Sequence, residues 1–183
     1  MLALRALILL AGHASMTFRK LARIALIAMV FSAPTTRAGD PEVDLKVVKL
    51  DALTEAVAKH KGKIVVVNFW ATFCIPCKEE FPNLVNLHRE RARDGVVCVS
   101  VTVDDPDDKA AALKFLRQQK ATFQNFLLDE SPEKYQKHFG FGAVPVVLVY
   151  GKDGKLVKKF NGDKPENAFT YKDVRKLVES LLK

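Results

Sequence analysis

Residues 65–82 read VVVNFWATFCIPCKEEFP, an apolar run that ends in two cysteines separated by two residues. The segment from Ile64 to Trp70 has the β-branched and aromatic composition of a buried strand. From Ile75 onward the apolar residues recur at helical spacing, beginning with Phe81 and Leu84. The sequence therefore places a cysteine pair at the junction between a buried strand and a helix.

This junction favours redox chemistry at Cys74. The first turn of a helix has unpaired backbone N–H groups and the positive end of the helix dipole, and both stabilise a thiolate. Cys77 lies one helical turn further on, close enough to attack a mixed disulfide formed at Cys74. The spacing therefore predicts thiol–disulfide exchange, with Cys74 as the nucleophile and Cys77 as the resolving thiol.

Composition limits the other function classes. The chain has 183 residues, which fits one domain with a substantial core, and a net charge of +8. Residues 1–38 contain five basic residues and no acid, so the remaining chain has an excess of only +3. This excess gives no support for nucleic-acid binding. The third cysteine, Cys98, lies in the apolar run VVCVSV, and we expect it to be buried and inert.

Residues 1–38 have the features of an export signal. Basic residues precede the short apolar run 24–31, and the small-residue site Thr36-Arg37-Ala38 would leave Gly39 as the mature start. Eight apolar residues are too few to span a bilayer, for which about 20 are needed. We expect translation to begin at Met16 and the product to be exported to the periplasm. The alternative is a retained N-terminal membrane anchor.

Residues 39–183 then form the predicted folded domain. Apolar patterns and turn signals predict further strands at 45–50, 96–103, 123–128, 146–150 and 155–160, with helices at 54–60, 109–119, 132–139 and from Tyr171 to Leu182. Four aspartates surround Pro106, at positions 104, 105, 107 and 108. They lack the pattern of a calcium loop, and helix capping explains them more simply.

Residues 69–82, FWATFCIPCKEEFP, resemble the active-site segment of thioredoxin-fold proteins, in particular the exported thiol–disulfide oxidoreductases of the TlpA/ResA type. The order of elements agrees from about Val43 to Leu182, and residues 143–150, AVPVVLVY, resemble the cis-proline strand of that family. The resemblance implies an α/β fold, a thioredoxin-like three-layer α/β/α arrangement with a central mixed sheet. A strand and helix around residues 123–139 match the insertion found in such proteins.

The resemblance also implies roles for the residues around Cys74 and Cys77. Pro76 would constrain the first helical turn, and Trp70 would cover the disulfide. Pro145, in the cis form, would face the two sulfurs and keep metals away from the dithiol. The backbone of Val144 would bind an extended substrate segment.

Proton transfer is the point at which this chain differs from thioredoxins. Asn68 stands where thioredoxins carry a buried aspartate. Glu80 matches the glutamate that the TlpA/ResA group carries near its cysteines, and it could accept the proton of Cys77 or oppose the Cys74 thiolate. The alternative is that Glu80 is a solvated acid of the first turn that only suits the helix dipole.

The leading functional prediction is an exported protein disulfide reductase, re-reduced by a membrane electron donor. It would act on protein substrates as a monomer, with no cofactor beyond its own disulfide and no metal. A peroxiredoxin-like peroxidase is an alternative, although Ala71 replaces the threonine expected before a peroxidatic cysteine. A copper-binding module using Cys74, Cys77 and His138 is another, which Pro145 would oppose. Lys78 excludes a C-x-x-C-H haem site.

Overall fold

A six-stranded mixed sheet forms the centre of the protein in the computed structural model, which describes residues 42–162 and 169–183. The predicted export signal and the Met16 start lie outside the described residues. In chain order the elements are β1 (Lys46–Val48), α1 (Leu50–Ala58), β2 (Ile64–Trp70), α2 (Ile75–Arg91), a 3-10 turn (Ala92–Asp94), β3 (Val96–Thr102), a second 3-10 turn (Pro106–Asp108), α3 (Lys109–Gln119), β4 (Gln124–Leu128), α4 (Pro132–Phe139), β5 (Val146–Tyr150), β6 (Leu156–Asn161) and α5 (Tyr171–Leu182).

The strand order across the sheet is β1-β4-β3-β2-β5-β6. The first four of these strands run parallel, whereas β5 is antiparallel to β2, and β6 is antiparallel to β5. Strand β2 lies in the middle and is buried along its whole length. A strand buried on both faces needs a continuous apolar sequence, which is what residues 64–67 provide.

Helices cover both faces of the sheet, which confirms the predicted three-layer α/β/α fold. On one face, side chains of β2 such as Val66 and Trp70 pack with those of α2, α3 and α5. On the other face, Val65, Val67 and Phe69 pack with α1 and α4. The alternation follows from the two-residue period of a strand.

The strand and helix of the expected insertion are β4 and α4, and they are built into the fold. Strand β4 lies inside the sheet, paired with β1 on one side and β3 on the other. Helix α4 packs on the second face through Tyr135. Together with the loop that follows it, this helix lines a cleft beside Cys74.

The first strand and helix differ from the sequence expectation. The predicted strand 45–50 is shorter, and the predicted helix 54–60 begins four residues earlier, at Leu50. The cause is tertiary packing, because Leu50 and Leu53 are both buried and are spaced one helical turn apart. The other element bounds agree with the predictions to within one residue. In the part of the chain that the structure describes, no helix is long and apolar enough to cross a membrane.

Candidate active site

Cys74 and Cys77 form a disulfide at the junction of β2 and α2. Their Cα atoms are 5.3 Å apart. Cys74 is the N-cap residue of α2, and its Sγ accepts a hydrogen bond from the backbone N–H of Cys77 at 3.3 Å. The predicted strand-to-helix junction is therefore confirmed, and the helix N-terminus points its N–H groups at the sulfur of Cys74.

The two cysteines of the disulfide differ in their access to solvent and to the cleft. Cys74 is 8% exposed and lines an open cleft, whereas Cys77 is 3% exposed and does not line it. The neighbours of Cys74 in sequence are large apolar side chains that point into solvent, with Phe73 73% and Ile75 64% exposed. A substrate that reaches Cys74 therefore meets an apolar surface first.

The cleft beside Cys74 has a volume of about 530 Å³ and combines distant parts of the chain. Its lining comes from the start of α2, from α4 and from the loop before β5, including Tyr135, Gln136 and Val144. None of the lining residues carries a formal charge. The peptide bond between Val144 and Pro145 is cis, as predicted. Val144 thus lies in the same cleft as Cys74, whereas the contact of Pro145 with the sulfurs stays a prediction.

Hydrogen bonds from α4 and β6 hold the loop between α4 and β5, which lines the cleft. The side-chain amide of Gln136 donates to the carbonyl of Gly142 at 2.9 Å. Gly140 ends α4 with a left-handed backbone (φ 67°), and its N–H donates to the carbonyl of Gln136 at 2.8 Å. The ammonium of Lys159 donates to the carbonyls of Phe139 and Gly140. The loop leading to Val144 is therefore held from two sides.

Trp70 and Pro76 occupy the expected elements. Trp70 ends β2, is fully buried, and packs its ring against Phe81 at 5.2 Å and Phe115 at 4.9 Å between centroids. It belongs to the same buried cluster as both cysteines, and its role as a cover for the disulfide stays a prediction. Pro76 lies in the first turn of α2, where a missing N–H costs no hydrogen bond.

Neither Glu80, on α2, nor Asn68, on β2, lines the cleft that contains Cys74. Glu80 accepts a hydrogen bond from Nδ2 of Asn83 at 2.9 Å and lines a second cavity, between α2 and α5, together with Tyr171. Asn68 is buried, and its Oδ1 accepts a hydrogen bond from the Tyr171 hydroxyl at 3.0 Å. Burial raises the pKa of Tyr171 well above its usual range, with smaller contributions from the charges of Cys98 and Glu80. The structure therefore does not bring Glu80 into the cleft that contains Cys74, and its catalytic role stays a prediction.

Sequence reasoning missed the role of Asp104. The sequence predicts helix capping for Asp104 and its neighbours, but only Asp105 caps the 3-10 turn, by accepting from the N–H of Asp107 at 3.0 Å. Asp104 is 4% exposed and turns inward to Thr72, two residues before Cys74. Its position two residues after β3, which pairs in parallel with β2, is the signal that could have found it, because parallel strands bring their carboxyl ends together.

Cys98 lies in β3, is 1% exposed, and has no disulfide partner among the described residues. Burial raises the pKa of its thiol to about 12, which leaves it protonated at neutral pH. His138, the third candidate ligand of the copper alternative, lines a cavity on the α1 side of the sheet. Residues 42–162 and 169–183 contain no group of three or more side chains arranged to hold a metal ion.

Comparison with known proteins finds relatives that are named for thiol–disulfide chemistry. The Redoxin family model matches residues 33–178. The chain is 30% identical over 141 residues to the thiol:disulfide interchange protein HelX of Rhodobacter capsulatus, covering 76% of each chain. It is 27% identical over 143 residues to the thiol-disulfide oxidoreductase ResA of Geobacillus thermodenitrificans, covering 78% of this chain and 77% of the relative.

Among solved structures, the fold is similar to a protein from Chlorobium tepidum assigned as the thiol:disulfide interchange protein DsbE. The TM-score is 0.58 with 22% identity, over 69% of this chain and 85% of the other. At this identity the likeness concerns the fold, which is the thioredoxin-like one expected from residues 69–82. The family match and the bonded Cys74–Cys77 pair together show that the chain belongs to the redoxin family and is a thiol–disulfide oxidoreductase.

Proposed function

We propose that this oxidoreductase is an exported reductase of disulfides in other proteins, with Cys74 as the attacking thiol and Cys77 as the resolving thiol. The observation that carries the assignment of roles is the cleft, which Cys74 lines and Cys77 does not. Cys74 also occupies the N-cap position of α2, where a thiolate is stabilised. A substrate sulfur can therefore approach Cys74 from the cleft while Cys77 stays behind it.

The reaction starts from the dithiol form. The Cys74 thiolate attacks one sulfur of the substrate disulfide, which forms a mixed disulfide and releases the other substrate sulfur as a thiolate. The Cys77 thiolate then attacks Sγ of Cys74, which closes the intramolecular disulfide and releases the second substrate thiolate. Two electrons pass to the substrate, and its two thiolates take up the two protons lost by the cysteines.

The cycle requires a two-electron donor that returns the pair to the dithiol form. We assign this role to a dithiol donor in the membrane, which would attack Cys74, the cysteine that lines the cleft, by the same exchange chemistry. Substrate and donor would then use one cleft in turn. Cys98 cannot serve as an internal donor, because it is a single, buried thiol with a raised pKa.

The cleft supports a substrate segment of a particular kind. Its walls are uncharged, and Phe73 and Ile75 stand exposed at its edge. An extended polypeptide with apolar side chains around its cysteine would cover this surface and remove it from water. The backbone of Val144 would pair with that segment.

Trapping tests the two roles. Cys77→Ser should accumulate mixed disulfides with protein substrates, because the first attack proceeds and the second does not. Cys74→Ser should form none, and Cys98→Ala, which leaves the pair intact, should behave as the unmodified protein. Trapping by Cys74→Ser in place of Cys77→Ser would reverse the roles.

The direction of electron flow is tested by the reduction potential of the pair, measured against glutathione. A potential near that of thioredoxin, about −270 mV, is expected of a reductase, and one near that of DsbA, about −120 mV, would mean a disulfide donor. Export is tested by mass spectrometry of the native protein, for which Gly39 is the expected first residue. A first residue upstream of Met16 would contradict the proposed start.

A further inference from the structure

Asp104 is a buried carboxylate that is fully engaged with the loop before Cys74. The backbone N–H of Thr72 donates to both of its oxygens at 3.0 Å, and the Thr72 hydroxyl donates to Oδ1 at 2.7 Å. The hydroxyl of Thr102 donates to Oδ2. Thr102 itself is fully buried, and its Oγ1 accepts the backbone N–H of Asp104 at 3.3 Å.

Neutral groups hold the side chain of Asp104. The backbone N–H of Thr72 donates to both of its oxygens, and each oxygen has a threonine hydroxyl as a further hydrogen-bond partner. Among the described residues, no lysine, arginine or histidine forms an ion pair with it. Burying a carboxylate held only by neutral groups costs free energy of folding.

The loop that Asp104 holds leads directly to the nucleophile. The carbonyl of Ala71 accepts the N–H of Cys74 at 3.1 Å, so Thr72 lies within the turn that begins α2. The N–H of Val103 also donates to the carbonyl of Trp70 at 2.9 Å. The end of β3 thus holds the loop after β2 at two points, one through backbone and one through the Asp104 side chain.

The Asp104 carboxylate is close enough to the Cys74 sulfur for its charge to affect the pKa of that thiol. Thr72 and Cys74 are two residues apart, so their Cα atoms are separated by at most about 7.6 Å. The carboxylate that binds the Thr72 N–H is therefore on the order of 10 Å from the Cys74 sulfur. A unit charge at that distance, at an effective dielectric constant of about 25–50, shifts a pKa by roughly 0.5–1 unit.

We propose that Asp104 is a positioning residue that helps to keep this pair reducing: through Thr72 it holds the loop before Cys74, and its negative charge opposes the Cys74 thiolate. This inference rests on the proposed attack by Cys74 in a reductase. A reduced form whose thiolate is less stable gives up its electrons more readily, which is the opposite of the strongly oxidising DsbA. The charge of Asp104 thus offsets part of the stabilisation that the N-terminus of α2 provides.

Other charged residues lie at the start of α2 and after β3, and all of them except Asp105, which the control variant replaces, are common to the variants below. On α2 they are Lys78, Glu79 and Glu80, and on the segment after β3 they are Asp105, Asp107, Asp108 and Lys109. In the described part of the chain, none of them forms a hydrogen bond or an ion pair with Asp104 or Thr72. Asp105 is the matched control, since it is the adjacent aspartate and caps the 3-10 turn without contacting the loop.

The test is the pKa of the Cys74 thiol in reduced Asp104→Asn, measured by thiolate absorbance and by the pH dependence of alkylation. We expect the pKa to fall by about 0.5–1 unit, because the opposing charge is gone. At a pH above the Cys74 pKa of both the unmodified protein and the variant, the same shift appears in a second measurement. The equilibrium constant for reduction of the Cys74–Cys77 disulfide by glutathione should then be roughly three- to tenfold larger in the variant. Asp105→Asn should leave both quantities unchanged. An unchanged Cys74 pKa in Asp104→Asn, with only a lower melting temperature, would overturn the inference.

A second variant covers the case in which Asp104→Asn does not fold. Thr72→Val removes one hydroxyl partner but keeps the carboxylate, so the charge is less well screened and the Cys74 pKa should rise. An unchanged or lower pKa in Thr72→Val would contradict the electrostatic part of the inference. Thr72→Ser restores the donor and should restore the original value. These titrations need no protein substrate, so they are separate from the proposed function, which fails if the unmodified protein reduces no protein disulfide.

Discussion

The hydroxyl of Tyr171, at the start of α5, donates a hydrogen bond to Oδ1 of Asn68, in the central strand, at 3.0 Å. Both side chains are buried, with Tyr171 6% and Asn68 3% exposed. The bond joins the last helix to the strand that precedes the cysteine pair, across 103 residues of sequence. The amide of Asn68 thus has a fixed partner where thioredoxins carry an acid.

Tyr171→Phe should destabilise the fold, because it leaves the buried Oδ1 of Asn68 without its donor. An unsatisfied buried acceptor costs about 1–3 kcal/mol, and we expect a loss of unfolding free energy in that range. Urea denaturation of the oxidised protein measures it. Tyr150→Phe is the control, since the described residues offer no hydrogen-bond partner to the Tyr150 hydroxyl. Equal losses in the two variants would mean that the bond to Asn68 has no net value.

Cys98 should resist alkylation while the protein is folded. With a pKa of about 12, its thiol is ionised in only about one molecule in ten thousand at pH 8. Iodoacetamide treatment of the reduced protein should therefore label Cys74 and leave Cys98 unmodified, as peptide mass spectrometry can show. Labelling of Cys98 should appear once the protein is unfolded in guanidinium. Rapid labelling in the folded state would contradict its burial in β3.

Ionisation of the Cys98 thiol should lower the free energy of unfolding at alkaline pH. Burial raises the pKa of Cys98 from 9.0 to about 12, so the folded state holds its proton more tightly than the unfolded state does. Its contribution is complete below pH 9 and is lost as the pH rises towards 12, at up to about 1.4 kcal/mol per pH unit. The raised pKa of Tyr171 acts with the same sign. Cys98→Ala should flatten part of this decline in the oxidised protein, and an unchanged slope would assign the decline to the tyrosines alone.

Phe73 and Ile75 should matter for protein substrates and not for small ones. Burying either exposed side chain against a substrate would contribute on the order of 1–1.5 kcal/mol, so Phe73→Ala and Ile75→Ala should each lower kcat/KM for a protein disulfide roughly tenfold. Reduction of a small aromatic disulfide should change little. Leu156→Ala is the control, because Leu156 is exposed on β6 and does not line the cleft. A similar loss in this control would indicate a general effect of apolar surface.

Glu80→Gln tests the predicted acid–base role. If Glu80 accepts the proton of Cys77, the variant should form mixed disulfides at the normal rate and resolve them at least roughly tenfold more slowly. Quenched-flow trapping separates the two steps. Glu79→Gln changes the neighbouring exposed acid and should leave both rates as they are. If the two variants resolve mixed disulfides equally well, Glu80 is a solvated acid of the first turn.

The central strand and the helix after it could be predicted almost to the residue. Neighbouring residues in the sequence are enough to predict them. A strand buried on both faces must be apolar throughout, and the switch to helical spacing at Ile75 marks the junction. The first helix was placed four residues too late, since nothing within residues 50–53 shows that Leu50 packs on the sheet. Asp104 was read as a cap for the same reason, because its partner Thr72 lies 32 residues earlier.

The sequence by itself determined the redox pair, because two cysteines at a strand-to-helix junction need only one continuous segment, and its resemblance to the TlpA/ResA type implied the fold class and the exchange chemistry. Only the tertiary structure decided what surrounds that pair. It separated Cys74, at the cleft, from Glu80, at another cavity, and it brought α4 and Val144 to the nucleophile. It also placed Asp104 against the loop before Cys74 and Tyr171 against Asn68. These contacts join residues far apart in the chain, and their distances depend on how the sheet and helices pack.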